Sequence, residues 1–181
     1  DELQKQIVGL GVEDRVELLG FVSADELVDL YARCRAAYYA PLIDMFSRSR
    51  DELQEELRDS KLRGRGGAGF PLHFKWQSCR EAAGAVKYIV CNADEGDPGA
   101  YIDKYLMEQR PHSVFLGMMV AGWFAGAETG VLYIRAEYPD SVRIIDAAIA
   151  DLNTAGLLGK NILGSGFNFV LKTIKGAGAY I

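Results

Sequence analysis

Apolar residues follow two rhythms along this chain. Val86-Lys87-Tyr88-Ile89-Val90-Cys91 and Val131-Leu132-Tyr133-Ile134-Arg135-Ala136 are short β-rich runs. Phe167, Phe169, Leu171 and Thr173 alternate with Asn168 and Lys172, as on a strand with two unlike faces. Val142, Ile145, Ile149 and Leu152 recur at helical spacing within 141–154, and Gly156 ends that run. Pro111 opens another helix. Its apolar part, 114–127, has about 14 residues interrupted by Gly117, Gly122 and Gly126, whereas a spanning helix needs about 20, so it is expected to lie buried in protein.

The first third has its own pattern. Residues 2–10 suit a short helix stopped by Gly11, and Arg15 to Val22 a strand. Ser23 with Glu26 has capping-box spacing before a helix carrying Leu27, Leu30 and Tyr31 on one face, with Arg35 in its last turn. Ala36-Ala37-Tyr38-Tyr39-Ala40-Pro41 reads as a second strand closed by proline, making a compact βαβ piece. From 43 to 59 the chain is highly charged; Leu53 and Leu57 among glutamates predict a solvated helical linker. The pattern predicts an α/β protein with a mainly parallel sheet flanked by helices. Its divisions are 1–42, a linker 43–60, and 61–181.

Composition narrows the function classes. With 181 residues, 49% hydrophobic and 25% charged, the chain has the make-up of a soluble globular protein. A net charge of −5 argues against a general nucleic-acid binder. The charge is lopsided: residues 1–60 hold seven Lys and Arg against fourteen Asp and Glu, and 61–181 hold thirteen against eleven. Cys34, Cys79 and Cys91 lack metal or disulfide spacing and read as buried thiols of a reducing compartment. His73 and His112 have no partner at ligand spacing and read as surface or capping residues, while Met107, Met118 and Met119 read as core filling. No signal peptide is visible, and the chain begins on Asp1 rather than Met, as a fragment would.

Two stretches carry candidate chemistry. Gly64, Gly66, Gly67 and Gly69 leave a backbone bare enough for its N–H groups to approach an anion, and Arg63, Arg65 and Lys75 flank them. Gly64-x-Gly66-x-x-Gly69 has dinucleotide-fingerprint spacing, but a helix-like run precedes it and Pro71 follows almost at once, so the ordinary Rossmann context is missing. On pattern alone a phosphate cradle and a structural glycine turn stand equally open. The second stretch is Asn92-Ala93-Asp94-Glu95-Gly96-Asp97-Pro98-Gly99, just past a predicted strand. That is the ligand edge of an open α/β sheet, and it is also where an Asx-capped turn would stand.

Two resemblances cover different parts. Gly11-Val12-Glu13-Asp14-Arg15-Val16, Leu19-Gly20-Phe21-Val22 and Glu26-Leu27-Val28-Asp29-Leu30-Tyr31 resemble the C-terminal domain of family 4 GT-B glycosyltransferases over about residues 1–42. The donor-binding segment of that family has no counterpart in Ile43 to Arg50, so transferase activity does not carry over.

From Leu62 onward the chain resembles the flavoprotein subunit of respiratory complex I and the related diaphorase subunits of NAD-reducing hydrogenases and formate dehydrogenases. The matching blocks are Leu62 to Pro71, Lys75-Trp76, Cys91 to Gly99, Arg135-Ala136-Glu137-Tyr138-Pro139, Gly156 to Gly164 and Gly176 to Ile181. This resemblance implies an incomplete Rossmann-like FMN domain that takes a hydride from NADH. It implies no side-chain acid or base, since the flavin supplies the chemistry. Gly64, Arg65, Gly66, Gly67, Ala68 and Gly69 would wall the flavin and dinucleotide site, and Phe70 would face the adenine. Lys75, Asn92 and Asp94 would bond the FMN ribityl and phosphate. Glu95 and Asp97 would lie beside the nicotinamide, and Gly176, Gly178 and Tyr180 would run along the flavin.

Leu72-His73 stand where the family usually has Thr-Gly, and the chain ends before the family's remaining FMN contacts and cluster cysteines. The resemblances together imply a chimera whose NADH dehydrogenase portion is expected to be inactive alone. A non-catalytic or designed nucleotide-binding module and a glycosyltransferase remnant are the alternatives. The implied cofactors are FMN and NAD(H), with iron–sulfur clusters held elsewhere. The implied partners are iron–sulfur subunits of a multi-subunit oxidoreductase, with no nucleic acid and no membrane insertion. The implied location is cytoplasmic, peripheral to the inner membrane through those partners.

Overall fold

The structure, a computed structural model, describes residues 39–178. The glycosyltransferase-like segment and its predicted strand and helix therefore lie outside the described residues, except for their end. There Pro41 does not close a strand: it opens helix α1, Pro41–Ser47. Proline's fixed φ and missing N–H suit the first turn of a helix, where no intrahelical donor is needed. Leu42 and Met45 of α1 are buried in the core.

Ser49 then caps α2, Arg50–Asp59, in a reciprocal capping box with Glu52. The glycine-rich loop follows, and Pro71 leads into α3, Leu72–Glu81. Strand β1, Tyr88–Ala93, is separated from β2, Thr129–Arg135, by α4, Ile102–Gln109, and α5, Pro111–Ala125. Helix α6, Pro139–Thr154, joins β2 to β3, Val170–Gly176.

The three strands pair in parallel in the order β1-β2-β3, and parallel neighbours require such helical crossovers. Leu132 and Ile134 point from β2 into a core built by Phe115, Met118 and Met119 of α5 and Val142, Ile145 and Leu152 of α6. Phe167, Phe169 and Leu171 are buried as their alternation predicts, although the ladder itself begins at Val170. Gly126, in the left-handed conformation, ends α5, and the Ala127 N–H turns back to the Gly122 carbonyl at 2.9 Å. Among the described residues no helix is long and apolar enough to cross a membrane.

Candidate functional site

Because the strands are parallel, their C-terminal ends share one edge. Ala93 stands opposite Ile134, and Arg135 opposite Gly176. The residues that follow, 94–99, 136–138 and 177–178, therefore leave the sheet on the side where open α/β sheets bind ligands. The structure thus brings Asn92, Asp94, Glu95, Gly176 and Gly178 to one edge, with the exposed Asp97 beyond them on the same turn.

Asp94 is the unusual group on this edge. Its N–H donates to the Asn92 side-chain oxygen at 3.1 Å, but its Oδ2 is buried without a hydrogen-bond partner. Gly176 lies against it: a β-carbon built there would come within 3.2 Å of Oδ2. A buried acceptor left unpaired is costly in a native fold, and a bound donor such as a ligand hydroxyl would satisfy it.

Glu95 faces a different way. Its carboxylate accepts the backbone N–H groups of Asp103 at 3.0 Å and Lys104 at 3.2 Å, and the Tyr138 hydroxyl at 3.2 Å. It thereby serves donors in the first turn of α4, which has no side-chain cap of its own. Burial pushes its pKa up, but these hydrogen bonds outweigh burial and hold it below the usual range. Asp103 moves the opposite way, raised by burial and by the Glu95 charge.

The Arg135 guanidinium donates to the Glu95 carbonyl and pairs with Glu137 at 3.2 Å. The Tyr138 hydroxyl also reaches the Ala100 carbonyl at 3.4 Å. Arg135 and Tyr138 thus pin the acidic turn, a role that no motif in the sequence assigns them. The available signal is that they fall in one of the blocks resembling the family, at the C-terminal end of β2, beside β1.

The glycine loop is a closed unit. The Gly64 N–H donates to the Phe70 carbonyl at 2.8 Å, the Leu72 N–H to Leu62 at 3.0 Å, and the Arg63 guanidinium to the Gly69 carbonyl at 2.9 Å. Gly67 and Gly69 have φ of 106° and 58°, which a side chain would resist. Around Gly66, Gly67 and Gly69 the space for a β-carbon is open. Arg65, Ala68, Phe70 and Lys75 are exposed around this bare backbone.

A helix precedes the loop and a helix follows it, so no strand feeds it in the Rossmann manner. Leu72 and His73 are half-buried, with His73 Nδ1 buried, and the Gln54 amide donates to the His73 carbonyl at 2.7 Å. His112, like His73, is half-buried rather than on the surface, and its Nδ1 lies 3.1 Å from the Tyr39 hydroxyl. Among the described residues no hydrogen bond or ion pair joins the glycine loop to the acidic turn. Tyr180 lies outside the described residues.

No group of three His, Cys, Asp or Glu able to hold a metal ion occurs among the described residues. Cys79 and Cys91 are free thiols, and burial, with the Asp103 charge, pushes the Cys91 pKa up.

Comparison with known proteins identifies the family. The family described as the Nuo51 FMN-binding domain matches residues 57–181. An NADH-quinone oxidoreductase subunit of Rhizobium meliloti (strain 1021) is 50% identical over 131 residues, covering 72% of this chain and 31% of the relative. The NADP-reducing hydrogenase subunit HndC of Solidesulfovibrio fructosivorans is 43% identical over 162 residues, 90% of this chain and 32% of its own length. A crystal structure of an NAD+-reducing [NiFe]-hydrogenase in the H2-reduced state superposes with a TM-score of 0.66 at 35% identity, over 81% of this chain and 24% of that one. The chain spans about a third of the length of these curated relatives. With that match over most of its length and a parallel sheet that ends in the acidic turn, the chain belongs to the Nuo51 FMN-binding domain family.

Proposed function

We propose that this chain supplies part of the FMN and NADH site of an NADH-oxidising flavoprotein subunit. Its partners are the iron–sulfur subunits of a complex I-like or hydrogenase-like oxidoreductase. The observation that carries this reading is the buried, unpartnered Asp94 Oδ2 cradled by Gly176 at the sheet's C-terminal edge. Such an oxygen fits a polyol hydroxyl of the kind FMN's ribityl chain offers. Asn92 and Lys75 would bond the ribityl and phosphate region, and the bare backbone of Gly64 to Gly69, with Arg65 and Ala68, would line the dinucleotide. Phe70 would face the adenine, Asp97 the nicotinamide, and Gly178 and Tyr180 the flavin, whereas the Glu95 carboxylate, expected beside the nicotinamide, is taken up by the first turn of α4.

The bound flavin supplies hydride acceptance and single-electron release. The chain's own residues bind and orient. Arg135 and Tyr138 hold the Asn92–Asp97 turn in place, so the field of its carboxylates is fixed before ligand arrives. With about a third of the relatives' length, the isolated chain is expected to bind FMN without turning over NADH.

Titration of FMN fluorescence by the purified chain tests the reading. Saturable quenching that weakens in Asp94→Ala supports it, and absence of FMN binding overturns it. NADH:ferricyanide turnover by the isolated chain would show that it is active alone and leave FMN binding untouched.

A further inference from the structure

We infer that the bare face of the parallel sheet is a self-docking surface, on which a second copy of this chain lies face to face with the first. The inference does not rest on the flavin reading.

The topology leaves this face open. The strands are added in one direction, β1-β2-β3, and right-handed crossovers then carry both connecting stretches over the same side. Leu132, Ile134 and Leu171 are buried on that side. There the Thr173 hydroxyl donates to the Asp146 carboxylate of α6 at 2.7 Å, and a β-carbon on Gly130 would meet Met118 of α5. The alternate positions of each strand point the other way. On β1, Tyr88 is 58% and Val90 63% exposed; on β3, Val170 is 37% and Ile174 47% exposed, with the half-buried Val131 between them on β2. Parallel sheets are normally covered on both faces, and an apolar patch running across three strands marks an interface.

Charge selects the occupant. The register sets Val90, Val131 and Lys172 in one row across the middle of the face. Lys172 is exposed, with no ion-pair partner among the described residues. One lysine among apolar side chains does not suit a nucleic acid or an anionic membrane, which call for clustered cations. A second copy does fit. Turned about a two-fold axis that runs along the strands over Val131, each copy sets its β1 on its partner's β3. Val90 of one protomer then meets the partner's Lys172, whose stem packs on the valine while the ammonium reaches water past the edge strand. A two-fold axis across the strands would instead bring the two lysines together, and like charges oppose that.

Strand spacing and rise give the face roughly several hundred Å². That is the size of a weak, reversible interface rather than an obligate one, so pairing is expected in the micromolar range.

Sedimentation of the purified chain over a series of concentrations tests this. The parent is expected to pass reversibly from monomer to dimer. Val90→Lys sets an ammonium against the partner's Lys172 and is expected to weaken pairing ~100-fold. Val90→Glu offers that lysine a carboxylate and is expected to stay within ~10-fold of the parent at low salt. Adding Lys172→Glu to Val90→Lys makes the facing charges opposite again and is expected to recover pairing, which also reports that the variant is folded. A parent that stays monomeric at sub-millimolar concentration would overturn the inference. So would equal effects of the two substitutions at Val90, as edge-to-edge pairing or a surface elsewhere would give, or a double variant that pairs no better than Val90→Lys.

Discussion

A β-carbon placed on Gly176 would stand 3.2 Å from Asp94 Oδ2 and 3.0 Å from Tyr133 Cε1, so the last residue of β3 is shaped by the carboxylate at the end of β1. The gap is tight but not closed, and a methyl group there would displace the carboxylate or the half-buried Tyr133 ring. Gly176→Ala is therefore expected to lower FMN affinity about tenfold while costing at most ~1 kcal/mol of fold stability. Flavin fluorescence titration and urea denaturation of the variant read the two effects independently. Unchanged FMN affinity would mean that the cradle is not used.

Removing the carboxylate should separate binding from folding more sharply. In the free protein the Asp94 Oδ2 has no hydrogen-bond partner, and only the charge of Arg135 acts on the carboxylate, so Asp94→Ala deletes a buried acceptor that nothing bonds and thermal stability without ligand should stay about level. With FMN present the lost charged hydrogen bond is worth ~1.5–3 kcal/mol, or roughly 10- to 100-fold in affinity. A melting curve that drops in the free protein would show that Asp94 supports the fold instead.

These two residues also show how far the sequence can be read. The acidic turn and Gly176 are visible as motifs, and the parallel sheet follows from the strand and helix periodicities. That Asp94 meets Gly176 depends on the register of three strands, in which Arg135 pairs with Gly176 and Ala93 with Ile134, and no local pattern encodes that. Arg135 and Tyr138 stand in a block that resembles the family, but their contacts with Glu95 are hidden for the same reason. Gly122 reads as a break in an apolar helix, whereas its missing side chain makes room for Phe169, 47 positions later in the chain. Pro41 fits a strand end or a helix start equally well, and the burial of Leu42 and Met45 against the core favours the helix.

Glu95 and Asp103 give stability opposite slopes with pH. The Glu95 pKa is lowered from 4.5 on folding, so its contribution is present above that value and is lost as pH falls through the lower folded pKa. The Asp103 pKa is raised from 3.8, so its contribution is complete below that value and disappears as pH rises through the folded pKa. The two partly offset each other in the parent. Asp103→Asn should expose the Glu95 limb, with urea midpoints falling more steeply than in the parent as pH drops below about 4.5. Glu95→Gln should flatten that limb and also relieve Asp103 of the neighbouring charge. Identical midpoint profiles for the parent and both variants would show that the Glu95 cap is not formed in solution.

Gly122→Ala sets helix propensity against packing. At an ordinary helical site the change would stabilise by ~1 kcal/mol. Here the new methyl would lie 2.5 Å from Phe169 Cε2 and 2.9 Å from Cδ2, closer than carbon atoms can approach. Phe169 has nowhere to retreat: it is fully buried, stacks on Phe167 at 5.6 Å, and its Cζ would be 2.8 Å from a β-carbon on Gly130. Overpacking of this kind costs ~1–3 kcal/mol, so the clash is expected to exceed the propensity gain. Replacing Phe169 by Leu in the Gly122→Ala background should recover part of the loss, because the two changes compete for one volume. Urea midpoints of the two single variants and the double variant would measure this coupling. Strictly additive losses would mean that the ring does not rest on Gly122.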